Sequence, residues 1–108
     1  GLLGDAGKLA EASCCGVAIE YEELPVSAQL TSAVGDARAR EFALTGGDDY
    51  ELCFAVRPEN VPRLTRELPP TQWNYRRIGV LREEPGSVVL RGGTVMDFSH
   101  YGFDHFAR

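Results

Sequence analysis

The order of helical and strand patterns along the chain is the feature that most limits its fold. Both kinds of pattern are present, but they do not alternate strictly as they would in a series of β-α-β units. We therefore predict an α+β domain with a single mixed sheet and helices packed on one of its faces. The 108 residues, 1–108, are expected to form one domain, because domains usually contain about 50–250 residues.

Four segments have the apolar spacing of amphipathic helices. The first starts at residue 2 and is predicted to stop at Gly16. Its apolar stripe follows Leu2, Ala6, Leu9 and Ser13 and is widened by Leu3 and Ala10. The others are Ser27–Val34, Asp36–Leu44 and a segment that runs from Pro58 to Leu68. No capping residue precedes the first helix, because Gly1 stands directly before the leucines. We interpret the missing cap as a sign that the chain is part of a longer protein.

Strands are predicted between these helices and after them. Tyr50–Val56 is mostly apolar and is expected to be a central strand. The Gly92-Gly93 pair lies between two apolar runs and predicts a β-hairpin. The complete set of predicted strands is 17–21, 50–56, 73–81, 88–91 and 94–96, with a turn at 83–86.

Composition excludes several classes of protein. The net charge is −5, and an acidic chain is a poor ligand for nucleic acid or for an anionic membrane. No apolar run approaches the roughly 18–20 residues that cross a membrane. The three cysteines, Cys14, Cys15 and Cys53, are odd in number and lack metal-ligand spacing. We therefore expect a cytoplasmic protein with reduced thiols, no bound nucleic acid and no membrane contact.

The segment Gly46-Gly47-Asp48-Asp49-Tyr50-Glu51 is the strongest local candidate for a binding site. Paired glycines allow a tight bend and close approach of a ligand to the backbone. The three carboxylates repel a bare phosphate, but they suit a cation, a phosphate that carries Mg²⁺, or a ligand with N–H donors. The structural alternative is an ordinary tight turn whose acids are solvated, and the spacing alone does not decide between the two.

Aromatic residues near the chain end form a second candidate. Tyr101 or Phe103 can stack on a flat heterocycle, and a cationic ring adds a cation–π attraction. The alternative is that these rings simply cover the sheet. Asp104-His105 is interpreted as a hydrogen bond that fixes the terminus rather than as a catalytic pair. Arg76-Arg77 is interpreted as solvated, because alternation along a strand sends the two side chains to opposite faces.

Three stretches, taken together, resemble the C-terminal domain of bacterial thiamine-monophosphate kinase. They are Gly1-Leu2-Leu3-Gly4-Asp5, the stretch from Leu44 to Phe54 (LTGGDDYELCF), and Tyr101-Gly102-Phe103-Asp104-His105-Phe106. They occur in the family's order and with similar spacing. The resemblance covers essentially the whole chain and implies the α+β fold of the aminoimidazole-ribonucleotide-synthetase-like superfamily.

The resemblance implies a substrate role for two residues of this chain. The family usually has Glu at the position of Asp48 and often Tyr at the position of Phe103, and both positions contact the substrate. Asp48 is shorter by one methylene, and Phe103 lacks the hydroxyl. The implied reaction converts thiamine monophosphate to the diphosphate, with ATP as the phosphoryl donor and several Mg²⁺ ions. No catalytic, cofactor or metal-ligating residue carries over to this chain.

The resemblance also assigns the remaining functions to a part that this sequence lacks. In the family, an Asp-x-Ser-Asp stretch directly precedes the glycine that matches Gly1. That stretch and the N-terminal domain before it hold ATP and Mg²⁺, and the N-terminal domains form a homodimer. The 108-residue chain alone is therefore expected to be inactive. The alternatives are a non-catalytic module that binds a small ligand or a partner, and a sister enzyme of the superfamily with another substrate.

Overall fold

The computed structural model describes residues 1–45 and 53–96. The helices are α1 (Leu2–Ala12), α2 (Ala28–Val34), α3 (Asp36–Thr45), α4 (Val61–Glu67) and α5 (Pro70–Trp73). The strands are β1 (Gly16–Glu20), β2 (Gly79–Arg82), β3 (Ser87–Arg91) and β4 (Thr94–Val95). Two short 3-10 turns cover Tyr21–Glu23 and Pro58–Asn60.

One mixed sheet joins the four described strands in the order β2-β1-β3-β4. The central strand β1 pairs antiparallel with β2 and parallel with β3. The strands β3 and β4 form an antiparallel hairpin. The predicted α+β class with a single mixed sheet is confirmed.

The hydrophobic core lies where α1 packs on β1. The helix contributes Leu3, Ala6 and Ala10, and the sheet contributes Ile19 and Val89, which are neighbours across the parallel pair. Both aliphatic side chains are fully buried, and each such burial stabilises the fold by about 1.5–3 kcal/mol. Of the predicted stripe, Leu3, Ala6 and Ala10 are buried, Leu2 and Leu9 are half-buried, and Ser13 is exposed. Helix α3 packs beside α1.

The end of α1 differs from the prediction. The left-handed residue is Cys14, with a φ of 57°, and not Gly16. The amide of Cys14 donates to Glu11 and the amide of Cys15 donates to Ala10, the two bonds of a Schellman motif. Gly16 instead begins β1, where a Cβ would collide with the carbonyl oxygen of Glu84. Close backbone approach, not helix termination, is what requires glycine there.

Several local predictions are confirmed. The predicted segment Ser27–Val34 forms α2, and its first residue, Ser27, is the cap, since the Ser27 hydroxyl accepts a hydrogen bond from the Leu30 amide at 3.0 Å. α3 begins at Asp36 as predicted and continues one residue beyond Leu44. Gly92 and Gly93 both have positive φ, 57° and 82°, which matches the hairpin turn that twisted strands favour.

Two strand predictions are wrong in the described residues. The segment 53–56 forms no strand there, while 50–52 lie outside the described part of the chain. The segment from Trp73 to Ile78 is not strand either, because Pro70 starts a short helix and Asn74 ends it with a left-handed φ of 52°. The strand begins only at Gly79. The helix after Pro58 forms as predicted, but its apolar residues Val61 and Leu68 remain exposed.

The left-handed conformation of Cys14 gives a stability prediction. Glycine adopts this conformation without steric cost, whereas other residues lose about 1–2 kcal/mol. Part of that gain is offset by the greater freedom of glycine in the unfolded chain. We expect Cys14→Gly to raise the free energy of unfolding by about 0.5–1 kcal/mol, measured by urea denaturation.

The adjacent residue supplies the control. Ser13 has a φ of −95°, so Ser13→Gly gains nothing and is expected to lower the same free energy. Cys14→Val, which places a β-branched residue at positive φ, is expected to lower it further. A Cys14→Gly chain less stable than the unsubstituted one would contradict the proposed cap.

Candidate functional site

The two predicted substrate residues lie outside the described part of the chain. Asp48 belongs to 46–52 and Phe103 to 97–108, and the structure describes neither segment. It does place the residues from which these segments depart. Thr45 precedes the acidic segment, Cys53 follows it, and Met96 precedes the aromatic tail.

The two residues directly before the acidic segment, Leu44 and Thr45, lie against the start of α1. A Cβ added to Gly1 would collide with the carbonyl oxygen of Leu44 and would lie 2.7 Å from the Cα of Thr45. The backbones at the beginning of α1 and at the end of α3 are therefore in direct contact. Leu44 is 1% exposed and fixes this end of α3 in the core.

Cys53, the first described residue after the acidic segment, lies against the same core. It is half-buried and packs against the core cluster that contains Leu3 and Leu44. Burial raises the pKa of the Cys53 thiol, and the carboxylate of Asp5, in the first turn of α1, raises it further. Leu44 and Cys53, described residues before and after segment 46–52, therefore both pack in the core to which α1 contributes.

The aromatic tail departs from the same core. The amide of Met96 donates to the carbonyl oxygen of Val89 at 2.8 Å and so extends the β3–β4 pairing by one residue. The Met96 side chain packs against the core cluster, as does that of Cys53. Cys53 and Met96, the described residues nearest the two predicted motifs, thus pack against one core cluster. Asp48 and Phe103 themselves lie outside the described residues.

Sequence reasoning missed an arginine that ties α3 to the end of β1. Arg40 donates through Nη1 to the carbonyl oxygen of Tyr21 at 2.5 Å and through Nε to Asp36 at 2.9 Å. Its guanidinium also lies over the Tyr21 ring, 5.1 Å from the centroid, and that of Arg91 lies 5.3 Å from the same centroid. No local spacing in the sequence signals the contact with Tyr21, because Arg40 and Tyr21 are nineteen residues apart.

The arginine pair Arg76-Arg77 lies outside any strand, so the alternation argument for it was wrong. Both side chains are nonetheless exposed, as expected of solvated residues. Arg76 Nη2 lies 3.4 Å from the carboxylate of Glu23, which gives it a structural partner.

A shallow depression near the hairpin is unsuited to a phosphate. Its volume is about 230 Å³, and its lining includes Glu20, Glu22 and Glu23. Three carboxylates repel a phosphate. Two of them already have partners, since Glu22 accepts from the Gly92 amide at 3.1 Å and Glu23 pairs with Arg76.

Residues 1–45 and 53–96 contain neither a membrane-spanning helix nor a candidate metal site. None of the helices in those ranges is long and apolar enough to cross a bilayer. The same residues contain no group of three or more His, Cys, Asp or Glu side chains arranged to hold a metal ion. All three cysteines lie in these ranges and are free thiols.

Comparison with known proteins identifies relatives that share one name. Thiamine-monophosphate kinases from Haemophilus influenzae and Escherichia coli K12 are each 36% identical to the chain, over 98% and 99% of its length. The enzyme of the same name from Bacillus subtilis is 32% identical over 98%. The predicted resemblance to thiamine-monophosphate kinase is confirmed. The chain spans about a third of the length of these relatives.

Two other comparisons gave no match. No protein-family model matches the chain. No solved structure gives a significant match either. The similarity to thiamine-monophosphate kinases therefore rests on sequence.

The proximity of Asp5 and Cys53 predicts a change in thiol reactivity. The thiolate is the reactive form, and Asp5→Asn removes a negative charge that disfavours it. The pKa of Cys53 should then fall, and its alkylation by iodoacetamide at pH 8 should become faster. The measurement uses a chain with Cys14→Ser and Cys15→Ala, so that a single thiol reacts.

Glu11→Gln is the matched control, because Glu11 is an exposed acid on the same helix. It should leave the rate unchanged. Equal rates for Asp5→Asn and the unsubstituted chain would contradict the effect of the Asp5 charge on Cys53.

Proposed function

We propose that this chain is the C-terminal, substrate-side domain of a kinase that phosphorylates thiamine monophosphate to thiamine diphosphate. The observation that carries the proposal is the similarity of nearly the whole chain to a third of several proteins named thiamine-monophosphate kinase. The three motifs in the sequence support the same reading, since each falls in a place that the family uses. We further propose that the full-length protein is cytoplasmic, consistent with its free cysteines.

Within this domain, Asp48 and Phe103 bind the thiamine moiety. The aminopyrimidine ring of thiamine carries an exocyclic amine, which donates a hydrogen bond to a carboxylate such as that of Asp48. The rings are flat and the thiazolium is cationic, so the face of Phe103 suits them. The shared core anchors of the two segments support this pairing, because Cys53 and Met96 pack against one cluster.

ATP and Mg²⁺ belong to the upstream domain in this proposal. When bound there, the metal neutralises charge on the transferred phosphoryl group. Residues 1–45 and 53–96 contain no group of three or more His, Cys, Asp or Glu side chains that could hold a metal ion. We therefore assign these residues no part in binding ATP or Mg²⁺. The full-length protein is proposed to form a homodimer through the same upstream domain.

The contact at Gly1 supports this division of roles. In the family, the metal-binding Asp-x-Ser-Asp stretch joins the chain directly before that glycine. Gly1 touches the backbone of Leu44 and Thr45, and the acidic segment begins with the next residue. A stretch that enters at Gly1 therefore comes from the side where the acidic segment starts. The substrate residues and the upstream metal ligands then share one site.

The reaction needs little from this domain beyond positioning. The acceptor phosphate is largely ionised near pH 7, since the second pKa of a phosphate monoester is about 6. A strong general base is therefore unnecessary, and placement of the acceptor beside the donor carries much of the rate enhancement. Asp48 and Phe103 contribute by holding the thiamine end of the substrate.

Substitutions at Asp48 test the proposed substrate contact. In the full-length protein, Asp48→Asn should weaken thiamine monophosphate binding by about tenfold or more, since a hydrogen bond to a charged group contributes about 1.5–3 kcal/mol. Asp48→Glu, which supplies the acid more usual in the family, should retain binding. Isothermal titration calorimetry with the substrate and, separately, with a nonhydrolysable ATP analogue measures both affinities.

Phe103 provides a second and independent test of the same pocket. Phe103→Tyr keeps the ring face and should bind normally. Phe103→Leu should weaken substrate binding by about twofold to thirtyfold, because a cation–π contact contributes about 0.5–2 kcal/mol. If either loss fell on the ATP analogue instead of on thiamine monophosphate, the roles of the two domains would be reversed.

The 108-residue chain alone should show no kinase activity. It lacks the domain to which ATP and Mg²⁺ are assigned, so thiamine diphosphate should not form when both are supplied with thiamine monophosphate. Chromatographic detection of the product, with the full-length protein as positive control, measures this. Turnover by the isolated chain would overturn the assignment of the nucleotide to the upstream domain.

A further inference from the structure

We infer that the upstream domain of the full-length protein packs on the face of the sheet opposite α1. We call this surface the open face and define it by five apolar residues, Ala18, Val80, Val88, Leu90 and Val95. The inference rests on the proposed function for the presence of an upstream domain, but not for the identity of the substrate. All five residues lie outside the three motifs of the resemblance.

The strand register joins these residues into one continuous patch. Ala18 pairs with Val80 on β2 and with Val88 on β3. Leu90 pairs with Val95 on β4. Directly opposite residues share a face of a sheet, and residues two apart on one strand do so as well. Since Val88 and Leu90 are two apart on β3, the two rows lie side by side on the same face.

The core side chains show that α1 packs on the other face. Ile19 and Val89 lie in the core cluster together with residues of α1. Ala18 directly precedes Ile19, and Val88 directly precedes Val89. Because successive side chains along a strand point to opposite faces, the patch lies on the side of the sheet away from α1. The sheet therefore buries one apolar face against α1 and carries a second.

The second face is incompletely covered. Val80 is 43% exposed and Val95 is 57% exposed, while Val88 and Leu90 are half-buried. Single exposed valines are ordinary on a protein surface. Exposed apolar side chains that adjoin one another mark a contact surface instead. The pairing of these residues across four strands therefore indicates a docking surface.

The size of the open face favours a covalently linked partner over a second copy of the chain. Four strands about 4.8 Å apart and at most about five residues long cover no more than about 14 by 16 Å, or about 220 Å². A stable complex of separate proteins buries about 800 Å² on each partner, so this face alone is too small to hold one. A domain on the same chain is present at a high effective concentration and needs a smaller contact.

The point at which the upstream chain joins favours the same partner. The chain spans about a third of the length of its curated relatives, and the remainder is proposed to enter at Gly1. Only residues 13–15 connect α1 to β1, so the helix runs back along the strand and Gly1 lies toward its Glu20 end. Glu20 pairs with Leu90, so the row of Leu90 and Val95 lies at that same end. Stacked layers are about 10 Å apart, which three or four extended residues span.

Thiol labelling in the full-length protein tests whether the open face is covered. Val80→Cys and Val95→Cys place a thiol on this face, and Val61→Cys is the matched control, because Val61 on α4 is 45% exposed. Mass spectrometry follows the reaction of each site with N-ethylmaleimide in native buffer and in urea. We expect native labelling to be at least about tenfold slower than labelling in urea at positions 80 and 95, and within about threefold at position 61.

Hydrogen exchange of the full-length protein identifies what covers the face. Val80→Asp places a charge in the proposed contact and should speed exchange about tenfold or more in at least one peptide upstream of Gly1. Val61→Asp should leave the upstream peptides unchanged. Because Val80 is already partly exposed to water in this domain, the aspartate is not expected to unfold it.

Several results would overturn the inference. Fast native labelling at positions 80 and 95 would show that the face is uncovered, and equal protection at position 61 would show that the cover is not specific to it. Faster exchange confined to 46–52 or 97–108 would assign the cover to this domain itself. Protection that is lost on dilution would assign it to a second copy.

Failure of the proposed function is distinguishable from these results. A full-length protein that does not phosphorylate thiamine monophosphate would contradict the proposed function. Labelling and exchange need no turnover, so they would still decide whether the upstream domain packs on the open face.

Discussion

The strand β1 is the element on which the rest of the structure depends. It is hydrogen-bonded on both edges, to β2 and to β3, and Ile19 at its centre is fully buried. The close pairing on one edge requires Gly79, because a Cβ there would collide with the carbonyl oxygen of Ala18. Helix α1 packs on this strand, and α3 is tied to its end through Arg40 and Tyr21. The anchors of the candidate site are therefore positioned relative to a single strand.

The described residues on either side of the acidic segment are held by the core. Glycine at position 1 lets the start of α1 touch the end of α3. Cys53 packs against the same core cluster, and the carboxylate of Asp5 is one cause of the raised pKa of its thiol. The described chain before and after the segment that carries Asp48 therefore contacts one core.

The sequence predicted those parts of the fold that local chemistry determines. Ser27 before α2 and Gly92-Gly93 in the hairpin act through bonds or dihedral angles within a few residues, so their signals are complete in the sequence. The motif glycines and acids that indicate the family can likewise be identified directly in the sequence. The α+β class followed from the order of these local patterns.

Features decided by competing local signals, or by distant residues, were not predictable in the same way. The stretch from Trp73 to Leu81 has strand-like composition, yet Pro70 starts a short helix that Asn74 ends. Cys14 takes the left-handed position because two helix-end bonds hold it there, although Gly16 is the better residue for it. The bond from Arg40 to Tyr21 links separate elements, so no spacing rule reveals it.

The parallel pairing of β1 with β3 has a consequence for how the domain folds. Val17 pairs with Ser87, 70 residues further along the chain, and closing a loop of that size precedes any stabilisation from the pair. Domains dominated by such distant pairings fold in milliseconds to seconds rather than microseconds. Until β3 arrives, one edge of β1 remains unpaired, and an apolar strand with an open edge is prone to join another chain. Production of this domain at low temperature or with chaperones therefore protects the interval before its sheet closes.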